Sequence, residues 1–176
     1  MGRVEHPLHP RLFYEFIGRD TMMSARSQTV ECHLIMEECL MSKKLSPLSK
    51  GFSPFRDFIG LKFKKVANGC SECVLKFNKD LCNPYGTMHG GVIFAVADSG
   101  MGTALYSSLA EDEMCSTIET KIVYFKAVKS GTVTCTSKII HRSKRIAVLE
   151  SELKQGRQKV AKAIATWSVF KVGREL

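Results

Sequence analysis

Asn83-Pro84-Tyr85-Gly86-Thr87-Met88-His89-Gly90-Gly91 is the stretch whose residue types best suit chemistry, and Asp98 follows His89 by nine residues. The proline disfavours helix at Asn83 and so ends the preceding strand. Gly86, Gly90 and Gly91 remove side chains where the backbone must bend or be closely approached. From Val92 to Leu109 every residue but one is apolar or small, which predicts a helix enclosed by protein on all sides. The exception is Asp98. Burying a lone carboxylate is costly, and the same burial raises its pKa towards that of a useful base. Gly90 and Gly91 at the helix start would offer free N–H groups and the positive end of the dipole to a developing oxyanion.

Spacing then sets a condition. At about 100° and 1.5 Å per residue, nine residues put His89 and Asp98 on opposite faces of one helix, about 13 Å apart along its axis. A site that uses both therefore needs the His-Gly-Gly turn of a second copy, across a two-fold interface.

The elements that must hold this stretch are legible around it. A short helix, Phe55 to Ile59, is ended by Gly60. Leu61 and Phe63 alternate with lysines, Asn68-Gly69 offers a hairpin turn, and Cys73, Leu75 and Phe77 alternate again. After the helix come four strand segments, Ser116–Val128, Gly131–Arg142, Arg145–Gln155 and Lys159–Val172. The last three are joined by short turns and are therefore antiparallel. The sheet must wrap the helix, because nothing else is apolar enough to cover it. Residues 1–53 read as an N-terminal extension and linker, with a possible helix from Ser27 to Leu40, and residues 54–176 as the domain.

Composition excludes several classes. The chain has 176 residues, 44% hydrophobic and 24% charged, ordinary for a globular protein with one core. Seven irregularly spaced cysteines without a visible secretion signal point to a reducing compartment, the cytoplasm, and no run is long enough for a membrane span. Cys70-x-x-Cys73 would alternate faces on a strand and has no second pair, so a metal site is not expected. There is no Gly-x-Ser-x-Gly elbow and no phosphate or dinucleotide loop. The net charge is +9, and residues 138–162 hold eight Lys/Arg against Glu150 and Glu152. Such a patch could attract a polyanion, but it lacks interleaved aromatics, so no nucleic-acid partner is expected.

The order Asn83, Gly86, His89-Gly90-Gly91 and Asp98 on a helix before an antiparallel sheet resembles the hotdog-fold acyl-CoA thioesterases, in particular their PaaI-like branch. The resemblance spans about residues 54–172 and includes Ser116-Thr117, the strand Ile122-Val123-Tyr124-Phe125, Gly131 and the basic turn Arg142-Ser143-Lys144-Arg145. It implies an α+β hotdog fold, with an antiparallel sheet wrapped around a long central helix, in homodimers that pair into homotetramers. It also implies hydrolysis of an acyl-CoA at a dimer-interface site, with no cofactor beyond the coenzyme A of the substrate. In that setting Asp98 would be nucleophile or general base, and the Gly90 amide, beside Gly91, would hold the oxyanion. Asn83 would orient the water or the substrate carbonyl, Thr117 or Ser116 would hold the water or the carboxylate, and His89 would position the turn and the sulfur end. Arg142, Lys144 or Arg145 would meet the coenzyme A phosphates, although many relatives have Gly-Arg where this chain has Ser143-Lys144-Arg145. The rivals are a non-catalytic acyl-CoA-binding hotdog module, a hotdog hydratase or dehydratase, and a nucleic-acid binder using the basic stretch.

Overall fold

A computed structural model of the protein describes residues 46–171. The expected helix from Ser27 to Leu40 lies outside the described residues. Helix α1 spans Pro54–Ile59 and stops at Gly60, which takes the left-handed conformation (φ 76°) and donates its N–H to the Arg56 and Asp57 carbonyls. Strands β1 (Lys62–Ala67) and β2 (Cys70–Lys76) form the anticipated hairpin, its turn made by Asn68 and Gly69, both at positive φ.

A 3-10 turn at Lys79–Leu81 leads through the Asn83–Gly90 loop into the long helix α2, Gly90–Tyr106. Then come β3 (Glu113–Tyr124), β4 (Thr132–Arg142), β5 (Ile146–Gln155) and β6 (Gln158–Lys171). The six strands make one antiparallel sheet in the order β1-β2-β4-β5-β6-β3.

Alternation along the strands sends Leu75, Val133, Leu149, Leu153, Ala163 and Trp167 to the face that α2 covers, where each is buried. Two serines on that face also hold the helix, and a third supports one of them. Ser71 Oγ donates to the Gly100 carbonyl at 2.7 Å, Ser151 Oγ to the Ala97 carbonyl at 3.3 Å, and Ser137 and Ser151 share a hydrogen bond of 2.6 Å. These bonds add a second donor to helix carbonyls and so fix the rotation of α2 about its axis. The approach is close: a methyl on Gly100 would lie 2.5 Å from Ser137 Oγ, and one on Gly102 would lie 2.7 Å from the Trp167 ring.

The expectation of a helix enclosed on every side is corrected here. Val96, Ala97, Met101 and Ala104 are buried, but Gly91, Phe94, Ala95 and Asp98 form a stripe that is exposed or half-buried. That stripe follows the i, i+3, i+4, i+7 spacing of one helix face. The sheet of one chain covers only the other side.

Candidate active site

The loop before α2 is built by its own polar atoms. Asn83 Oδ1 accepts from the N–H groups of Tyr85 (3.0 Å) and Thr87 (3.2 Å), while the Asn83 N–H donates to the Thr87 carbonyl at 2.8 Å. Gly86, at φ 70°, donates its N–H back to the Asn83 carbonyl. Asn83 therefore shapes the turn with its side-chain carbonyl, and only Nδ2 has no acceptor among the described residues. The loop is pinned to the β3–β4 connection by Met88 N–H on the Val128 carbonyl and to the 3-10 turn by His89 N–H on the Leu81 carbonyl, both at 2.8 Å.

His89 is the N-cap of α2, and its Nδ1 accepts the Gly91 N–H at 2.9 Å. An accepting Nδ1 puts the proton of the neutral ring on Nε2. This corrects the expectation that Gly90 and Gly91 both present free amides: the His89 side chain folds back over the helix end and occupies Gly91. The Gly90 N–H has no acceptor among the described residues. A side chain at Gly91 would intrude, since its Cβ would lie 3.0 Å from Nδ1.

Tyr124, at the end of β3, belongs to a strand expected from the sequence but was not expected at the site. Its hydroxyl donates to the Gly90 carbonyl at 3.0 Å, and burial pushes its pKa up, so it remains a donor. Asn83, Gly90, Ile93 and Tyr124 line one cleft of about 340 Å³. The signal that could have found Tyr124 is its place two residues after Ile122 on the helix-facing side of β3.

Asp98 sits elsewhere, in the middle of α2 on the half-exposed stripe. Its Oδ1 accepts from Thr117 Oγ1 at 3.3 Å and from Thr120 Oγ1 at 3.4 Å. Burial pushes its carboxyl above the usual aspartate range, and the two hydroxyls pull part of the way back. Of the adjacent pair Ser116-Thr117, only Thr117 faces the helix. It lies opposite buried Trp167, whereas Ser116 lies opposite Ser168 on the outer face, where Ser168 Oγ donates to the Ser116 carbonyl. One chain thus brings together Asn83, Gly90 and Tyr124 in one place, and Asp98 with Thr117 and Thr120 in another. It does not bring Asp98 to its own His89-Gly90-Gly91 turn.

The basic stretch also divides. Glu150 bridges Lys138 (3.2 Å) and Lys162 (3.0 Å), and Glu152 bridges Lys159 (2.7 Å) and Lys154, so four of its cations are paired. Arg142 is tied to Glu113 at 3.0 Å and to the Ser143 carbonyl. Lys144 and Arg145 instead line a cleft of about 430 Å³ with Val169, Phe170 and Lys171. Of the three basic residues expected at a phosphate site, Arg142 is therefore engaged within the chain.

The comparisons with known proteins agree with this architecture. The thioesterase superfamily matches residues 85–162. A candidate esterase of Saccharolobus solfataricus is 33% identical over 116 residues, covering 65% of this chain and 77% of that protein. A 1,4-dihydroxy-2-naphthoyl-CoA hydrolase of Listeria monocytogenes is 25% identical over 105 residues, covering 60% and 85% respectively. Among solved structures, a conserved protein of Pseudomonas aeruginosa aligns with a TM-score of 0.66 at 34% identity, over 70% of this chain and 97% of that one. With its antiparallel sheet around one long helix and the match that begins in the turn before that helix, the chain belongs to the thioesterase superfamily and has the hotdog fold.

Proposed function

We propose that the protein hydrolyses an acyl-CoA thioester at a site shared by two copies of the chain. The observation that carries the reading is the division of α2. Among the described residues, a half-buried carboxylate with no oxyanion donor beside it sits at the middle, and a turn with an unused Gly90 amide but no carboxylate sits at the start. Each half lacks what the other has.

Two further features favour a two-fold pairing. The stripe of Gly91, Phe94, Ala95 and Asp98 is left uncovered by the sheet of its own chain. Strand β3 is the last in the sheet order, with a partner on one side only among the described strands, and exposes Ile118, Val123 and Tyr124. A long open edge with apolar side chains is a surface that pairs with another strand.

In this reading Asp98 of one copy is the general base. It takes a proton from a water whose oxygen bonds to the thioester carbonyl carbon, and the carbonyl oxygen becomes an oxyanion against the Gly90 N–H of the other copy. The C–S bond then breaks, the thiolate leaves as coenzyme A carrying the proton from Asp98, and the free acid remains. His89 and Tyr124 hold the Gly90–Gly91 peptide from its N–H and its carbonyl side. Asn83 lines the same cleft as Gly90, and its Nδ2 would donate to the substrate carbonyl or water there. Lys144 and Arg145 suit the phosphates of coenzyme A, and a relative named for hydrolysis of an aromatic acyl-CoA supports that substrate class.

The test is hydrolysis of a panel of short, long and aromatic CoA thioesters, read as released thiol. Wild type is expected to turn over at least one of them, and Asp98→Ala to lose at least about a hundredfold in kcat. Equal rates for the two proteins would remove the mechanism.

A further inference from the structure

Thr120 follows Thr117 by three residues, and strict strand alternation would put the two on opposite faces of the sheet. The register of β3 on β6 removes that conflict. Thr117 lies opposite Trp167, Glu119 opposite Thr166 and Thr120 opposite Ala165, so Ile118 is an extra residue in a β-bulge. The bulge shifts the alternation by one, and Thr117 and Thr120 both face α2. Their hydroxyls converge on the same atom, Asp98 Oδ1, and no donor among the described residues reaches Oδ2.

We propose that Thr120 is a positioning residue that joins Thr117 in holding Asp98 Oδ1, leaving Oδ2 as the oxygen that takes the proton from water. The inference rests on the thioesterase reading and deepens it. A carboxylate on a helix can turn about its last torsion, which is broad. Two donors on one oxygen select an orientation and leave the lone pairs of the other oxygen directed away from β3, along the uncovered stripe. Threonine suits the task, since its branched Cβ keeps few χ1 states.

The same contacts act on ionisation. Hydrogen bonds to a carboxylate favour its charged form, and here they oppose the burial that favours the neutral one. Few other groups bear on it. Glu119 and Lys121 of β3 alternate to the outer face, as do Glu150 and Glu152 of β5 and Lys162 of β6. The inward titratable side chains on the strands against α2 are the thiols of Cys73, Cys115 and Cys135, the Tyr124 phenol at the helix start and, at the opposite end of β3, Glu113 with its ion-pair partner Arg142 and Lys171 opposite it.

The experiment compares wild type, Thr120→Val and Thr120→Ser, with Thr120→Ala as a second hydroxyl-free variant. Loss of the hydroxyl is expected to lower kcat by about tenfold or more, the scale of one hydrogen bond to a charged group, with KM within about twofold. The acid limb of the kcat profile is expected to move to higher pH, and Thr120→Ser is expected to restore both. Carboxyl-carbon NMR of Asp98 supplies a readout free of turnover, with its titration midpoint raised in Thr120→Val. An unshifted midpoint in both hydroxyl-free variants, or a kcat loss that Thr120→Ser fails to restore, would overturn the proposal. A shifted midpoint in a protein whose wild type hydrolyses no CoA thioester would instead remove the thioesterase reading and leave the hold on Asp98 standing.

Discussion

At the scale of single residues, Asp98 is placed against its own stability. Burial raises its folded pKa above the ordinary aspartate value. A carboxyl with a raised folded pKa binds more protons folded than unfolded across the window between the two pKa values. Folding is therefore penalised as pH rises through that window, and the penalty is complete above the folded pKa. Asp98→Asn keeps the shape and removes the charge. It is expected to raise the melting temperature at neutral pH, and that gain is expected to shrink as pH falls towards the ordinary aspartate pKa. Thermal melts across pH would check it, and a variant destabilised at neutral pH would contradict the sign. The same substitution is expected to cost activity, the pattern of a residue kept for chemistry rather than packing.

At the scale of elements, position comes from contacts that alternation cannot report. The Asn68-Gly69 hairpin, the Gly60 stop and the antiparallel β4-β5-β6 run could be read directly, because each follows from local turn chemistry and a period of two. The bulge at Ile118 could not, since one inserted residue breaks that period without any change in composition, and Thr120 was missed with it. Ser71 and Ser151 read as ordinary strand residues until the helix carbonyls they hold are seen, and Ser137 until its bond to Ser151 is. Gly91 looked like a free amide because a sequence does not show the His89 ring turning back on it. Gly102 tests how tightly these elements are set. A methyl there would meet the Trp167 ring at 2.7 Å, and Trp167 lies opposite Thr117. Gly102→Ala is expected to cost about 1–3 kcal/mol in stability, as overpacking does, and to lower kcat as Thr117 moves. Urea unfolding and turnover of the same sample would show it, and an unchanged unfolding midpoint would mean that the ring yields freely.

At the scale of the whole molecule, a helix that is apolar all round in sequence left open what covers it. The sheet of the same chain covers one side, and among the described residues the stripe through Asp98 is left exposed or half-buried. If the second copy closes that side, damaged subunits should repair one another. Asp98→Ala and Gly90→Pro chains, each inactive alone, form mixed dimers with one intact site and one doubly damaged site. Random mixing makes half the dimers mixed, so about a quarter of wild-type activity is expected to return. No recovery after verified subunit exchange would place the whole reaction within one chain. The separation of Asp98 from its own turn also bears on how the protein behaves when scarce. A newly made subunit would be chemically silent until it met another, so in dilute solution the rate would climb with the square of the amount of protein, and loss of pairing would switch the chemistry off without touching any reacting group.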